Sequence, residues 1–125
     1  MSTNARIGLK RNDGSIVSVY HHWDGYPEWL GKKLVEKYDN KFDIGYLISG
    51  GDISCIDSDK DWDRNDVPNH VQYYSLRGEK CPPQDHNNLS DYLDSMDDCG
   101  AEFAYIFMEK TGWVCFNQDQ DVVPM

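Results

Sequence analysis

The sequence predicts an α+β fold: a single antiparallel sheet of about five strands with two main helices on one face. Three observations carry this expectation. Period-two runs flank short glycine turns near both ends of the chain, two inner segments carry stripes of helical period, and the elements follow the order strand, strand, helix, short helix, strand, helix, strand, strand. A chain of 125 residues suits one domain with one core. Residues 1–125 are read as that domain.

The first strands come from "ARIGLKRNDGSIVSVY", where Ile7 and Leu9 alternate on one arm and Ile16, Val17 and Val19 lead the other. Asn12-Asp13-Gly14 between them is hairpin-turn chemistry. The period changes at "PEWLGKKLVEKY", in which Leu30, Leu34 and Tyr38 recur every four residues and Val35 widens the stripe. That pattern predicts a helix, with Pro27 suited to its first turn. Gly31 within it costs about 1 kcal/mol against alanine and calls for a close packing neighbour. "KFDIGYLISGGD" reads as a short helix or a buried turn-like segment ended by Gly50-Gly51.

A polar, aspartate-dense loop follows at 55–69, and "HVQYYSL" reads as a strand. In "NLSDYLDSMDD", Leu89, Tyr92, Leu93 and Met96 stand at i, i+3, i+4 and i+7. This predicts a second amphipathic helix, capped by Asn87 or Asn88 and stopped by Gly100. "EFAYIFMEKTGWVCF" supplies two closing strands around Lys110-Thr111-Gly112. Phe103, Tyr105 and Phe107 face one side there and Ala104, Ile106 and Met108 the other, so both sides of this strand have apolar residues to cover. The tail after 117 is expected to fray.

Acidic residues outnumber basic ones by 22 to 12, giving a formal charge of -10. Residues 1–50 are nearly balanced, with seven basic and six acidic side chains, whereas residues 51–125 hold five and sixteen. Such a field repels a phosphate backbone and offers no polybasic patch to anionic lipid. The partner it suggests is a protein with a basic surface, with neither direct nucleic-acid nor membrane binding. Cys55, Cys81, Cys99 and Cys115 lack the spacing of a zinc site and read as reduced thiols. No metal or cofactor is called for, and with no apolar run long enough to cross a bilayer the cytoplasm is the expected compartment.

The densest chemistry lies in "YHHWDGYPEWLG". One reading makes it a folding device, with Asp24-Gly25 as a tight turn and Trp23, Tyr26 and Pro27 wedging a helix onto the hairpin. A second makes Trp23, Tyr26 and Trp29 a shelf that grips a protein or stacks on a base. A third joins His22 and Asp24 to Asp52, Arg77 and Glu79 as a metal-dependent phosphodiesterase, with His22, Asp24 and Glu79 as its catalytic groups. Adjacent His21 and His22 point to opposite faces of an extended strand, which disfavours one site for both. "GGDIS" lacks a following GK[ST] and is read first as a turn with Asp52 or Ser54 as a cap. Asp57, Asp59, Asp61 and Asp63 miss the glycine and glutamate of a calcium-binding EF-hand loop in either register, and form a solvated acidic binding surface instead.

"VYHHWDGYPEWLGKKLVEKY", "GYLISGGDIS", "YSLRGE" and "AYIFMEKTGWVC" together resemble a family of small phage and bacterial mobile-element proteins marked by HWDGYP and GDIS motifs. His21 and Trp29 depart from that pattern, which has small residues or cysteine at the first and a small residue at the second. The resemblance implies a phage accessory protein acting in the host cytoplasm. With the charge, it leads to the expectation of a non-catalytic protein that binds and inhibits a host defence or nucleic-acid-handling protein through an acidic surface. The alternative is a protein that sequesters a nucleotide-like ligand, with Trp23 or Tyr26 on the base and Arg77 on phosphate.

Overall fold

The computed structural model describes residues 3–56 and 71–125. The hairpin forms as its turn chemistry dictates. Strands β1 (Ala5–Lys10) and β2 (Ile16–His21) pair antiparallel, from Ala5 opposite His21 to Lys10 opposite Ile16. The Asp13 carboxylate fixes the turn by accepting from the Ser15 N–H at 2.9 Å and its hydroxyl at 2.6 Å.

Beyond β2 the chain bends and enters a π-turn (Pro27–Gly31) that continues into α1 (Lys32–Lys37). The predicted helix is therefore present, with its first part widened. Gly31 has no unusually close neighbour, since a Cβ there would lie 3.5 Å from Tyr105 Cε1, an ordinary contact. Helix α2 (Lys41–Ser49) settles the ambiguity of the next segment, and Asn40 caps it by accepting from the Asp43 N–H at 2.9 Å. Then follow β3 (Ile53–Cys55), β4 (Gln72–Tyr73) and a 3₁₀ turn (Tyr74–Arg77), so the described part of "HVQYYSL", from Val71 on, contributes two strand residues and a turn in place of one strand. The last elements are β5 (Gln84–His86), α3 (Leu89–Cys99), β6 (Phe103–Met108), β7 (Gly112–Asn117) and β8 (Val122–Val123). Instead of fraying, the tail turns back after Asn117 and pairs along β7.

The α+β class holds, but the expected five-stranded antiparallel sheet with both helices on one face is wrong. Among the described residues eight strands form one mixed sheet in the order β4-β3-β2-β1-β6-β7-β8, with β5 also paired to β2. β5 lines the start of β2, at Ile16 to Ser18, and β3 meets its end at His21. The pairs β1–β6 and β2–β3 are parallel. A parallel pair cannot be joined by a tight hairpin and needs a crossover, which here carries helices over the sheet.

Those helices lie on opposite faces. Leu30, Leu34, Ile44, Leu47 and Ile48 from the π-turn, α1 and α2 pack with Ala5, Ile7, Leu9, Val19, Tyr105 and Phe107. Tyr92, Leu93 and Met96 of α3 pack with Ile16, Ala104, Ile106 and Phe116. Strand side chains alternate between faces, so the two-sided apolar pattern of β6 requires this three-layer arrangement. Gly8 lets α3 approach: a Cβ on it would lie 2.8 Å from Tyr92 Cζ, and the Tyr92 hydroxyl donates to the Tyr105 carbonyl.

Candidate functional site

The HWDGYP bend is built largely as a brace. His21 follows Val17 and Val19 onto the α1/α2 face and is completely buried, with neither ring nitrogen hydrogen-bonded among the described residues. Burial, and then the neighbouring His22, lower its pKa to about 3, so it is a neutral core residue. His22 N–H and Trp23 N–H donate to the Ile53 and Ser54 carbonyls, each at 3.0 Å, extending the join between β2 and β3. Asp24 takes the left-handed conformation, with φ 55°. Gly25 then slots against the first strand: its N–H donates to the Thr3 carbonyl at 2.8 Å and its carbonyl accepts from the Tyr105 hydroxyl at 2.8 Å. A Cβ on Gly25 would lie 2.7 Å from Ala5 Cβ, so only glycine fits without displacement.

The aromatic residues of the bend separate. Trp23 is exposed at 46% and edges onto the His22 ring, with centroids 4.8 Å apart. His22 Nδ1 is 2.7 Å from the Tyr20 hydroxyl. Tyr26 is exposed, but Trp29 packs against the core while Lys33 Nζ sits 4.8 Å from its ring centre. The three rings expected to act as one shelf are thus divided between surface and core.

Asp52 is a structural carboxylate. Its Oδ1 accepts from the Tyr20 N–H at 2.9 Å, and its own N–H donates to the Cys81 carbonyl at 2.8 Å. Burial raises its pKa, opposed by the Tyr20 N–H and by Arg6. The Gly51 N–H goes to the Ile48 carbonyl at 3.0 Å, so the Gly51 and Asp52 amides are both committed to backbone carbonyls. Glu79 is exposed in the segment after the 3₁₀ turn, and its carboxylate adds to the burial that raises the Cys81 thiol pKa. Among the described residues no group of three His, Cys, Asp or Glu side chains is placed to hold a metal, so His22, Asp24, Asp52 and Glu79 do not come together as the metal centre of the third reading. Asp57, Asp59, Asp61 and Asp63 lie outside the described residues, as does the side chain of Arg77. No disulfide joins the four cysteines.

Two features escape the sequence reading. The first is a buried polar network on the α3 face. Arg6 is 3% exposed, yet among the described residues its guanidinium meets neutral partners: Ser18 Oγ at 3.2 and 2.7 Å, Gln84 Oε1 at 3.0 Å and Cys99 Sγ at 3.6 Å. Because the Ser18 oxygen accepts twice from Arg6, its own proton is directed at His86 Nε2, 2.7 Å away. Burial, and then Arg6, lower the His86 pKa and keep the ring neutral. Ser18 is fully buried and cannot meet a substrate. The network ties β1, β2, β5 and α3 together. Its sequence signal is the alternation of β1, which puts Arg6 on the face opposite Ile7 and Leu9, the face that α3 covers.

The second feature is the outer face of α3. Asp91, Asp94, Asp97 and Asp98 are all exposed, while Tyr92, Leu93, Ser95 and Met96 point inward. The helix carries no basic residue. The turn before β8 adds exposed Asp119 and Asp121 and is tied to the helix by Gln120 Nε2 donating to Asp94 Oδ1 at 2.9 Å. The apolar spacing of "NLSDYLDSMDD" already fixes where these aspartates point. No helix among the described residues is long and apolar enough to cross a membrane. No family model matches the chain, and no curated protein or solved structure matches it significantly.

Proposed function

We propose that this chain is a non-catalytic binding protein whose acidic α3 face engages and blocks the basic surface of a protein partner. The observation that carries this reading is the row of four exposed aspartates on one eleven-residue helix that has no cation of its own. A one-sign surface held on a rigid, sheet-backed helix steers a basic partner into contact and fixes the register of docking. The resemblance to phage proteins makes a host defence or nucleic-acid-handling protein the expected target, in the host cytoplasm. Such a target's cationic surface is where its own polyanionic substrate would sit, so occupation inhibits it. Asp57, Asp59, Asp61 and Asp63 are a second acidic group, assigned to the same partner by their charge alone.

The test is affinity capture from host lysate at two salt concentrations with three baits. These are the wild type, a variant with Asp91, Asp94, Asp97 and Asp98 changed to asparagine, and a variant with Asp57, Asp59, Asp61 and Asp63 changed likewise. The reading expects one defined basic protein to be enriched by the wild type, released by salt and lost with the helix variant. Equal capture by the wild type and the helix variant would remove the reading.

A further inference from the structure

At the carboxyl ends of the parallel neighbours β1 and β6 the structure opens a crevice of about 390 Å³, lined by Lys10, Arg11 and Asn12, by Met108 to Thr111, and by Lys41 at the start of α2. Its lining holds four cationic side chains, Lys10, Arg11, Lys41 and Lys110, against one carboxylate, Glu109. This is a local reversal in a chain of charge -10. Part of the positive charge is committed: Arg11 pairs with Asp85 at 2.8 Å, and Lys41 Nζ donates to Asn12 Oδ1 at 2.9 Å and lies 3.6 Å from Glu109. Lys10 and Lys110 are exposed and, among the described residues, have no ion-pair partner. Crevices outside the carboxyl ends of strands are recurrent ligand sites in sheets with parallel pairs, and this one falls within the usual range of small-molecule pockets.

We propose that this crevice binds a small phosphorylated ligand, a compact anion bearing two or more phosphate groups. Two uncommitted ammonium groups with Arg11 and Lys41 beside them match several phosphate oxygens, more than one carboxylate would use. The compactness follows from the rest of the molecule. Screening confines the favourable field to roughly 8 Å at physiological salt, so a short anion seated in the crevice feels the cations, whereas a long nucleic-acid backbone would run out over the acidic surface. The site shares no residue with α3 and stands independently of the partner-binding reading.

Inorganic diphosphate is the direct probe, titrated into the full chain and followed by amide NMR shifts and calorimetry. The proposal expects saturable binding with Kd below about 1 mM, with shifts concentrated at Lys10, Arg11, Lys110 and Thr111. A Lys10→Gln/Lys110→Gln variant should lose about tenfold or more in affinity. A Lys32→Gln/Lys37→Gln variant, with the same change in net charge on α1, should bind as the wild type does. Matching spectra outside the crevice verify that both variants are folded. Absence of saturation, equal weakening in both variants, or tighter binding of a single-stranded oligonucleotide than of diphosphate would each overturn the proposal.

Discussion

His21 carries the clearest consequence of the bend. Its ring is completely buried without a hydrogen bond among the described residues, and its pKa falls from 6.5 to about 3. Between those values the unfolded chain binds a proton that the folded one refuses, so stability rises with pH across this window and is lost as pH falls through it. The slope attributable to this one group is about 1.4 kcal/mol per pH unit. Denaturant unfolding of His21→Leu should show a flatter profile between pH 4 and pH 6, and a gain at pH 7 of roughly 1 kcal/mol from removing unpaired buried nitrogens. A profile as steep as the wild type's would place the acid sensitivity elsewhere. Gly25 gives a steric counterpart: Gly25→Ala drives a methyl group towards Ala5 and the Thr3 carbonyl and should cost about 1–3 kcal/mol in chemical denaturation.

Among the elements, α3 joins stability to the proposed binding surface. Asn88 accepts from the Asp91 N–H at 2.9 Å as the N-cap, and Asn88→Ala should lower stability by about 1 kcal/mol while leaving the outer aspartates in place. Neutralising Asp94, Asp97 and Asp98 relieves like-charge crowding at the negative end of the helix dipole, so the thermal midpoint of the triple asparagine variant should rise even as partner binding falls. The helix, its cap region and its stop were readable from "NLSDYLDSMDD" because capping and amphipathic period are local properties. The sheet was not. Pairing of β1 with β6 joins residues nearly a hundred positions apart, and nothing local distinguishes a parallel from an antiparallel neighbour for a strand apolar on both sides. The two-sided pattern of β6 was visible in the sequence, but its consequence, a helix on each face, depends on that pairing. The same error hid Arg6, whose burial follows only once α3 covers the second face. The bracing part of the bend rests on hydrogen bonds from the Gly25 and His22 N–H groups to backbone carbonyls of Thr3 and Ile53, pairings that its local sequence does not specify.

At the scale of the molecule, charge is segregated. After Lys80 the chain holds a single basic residue, Lys110, and the acidic side chains of that half include the exposed row on α3. Lys110 meets Lys10, Arg11 and Lys41 only through folding, because β1 and β6 run side by side and end together. A strongly acidic protein thus keeps one cationic crevice apart from one acidic helix, and the two surfaces should respond to different ligands. The most direct measurement is the association rate of the captured partner at 50 and 300 mM salt. For the wild type the rate should fall about tenfold or more over this range, whereas the α3 asparagine variant should associate slowly and almost without salt dependence. Equal rates and equal salt dependence for the two proteins would contradict binding through the acidic helix.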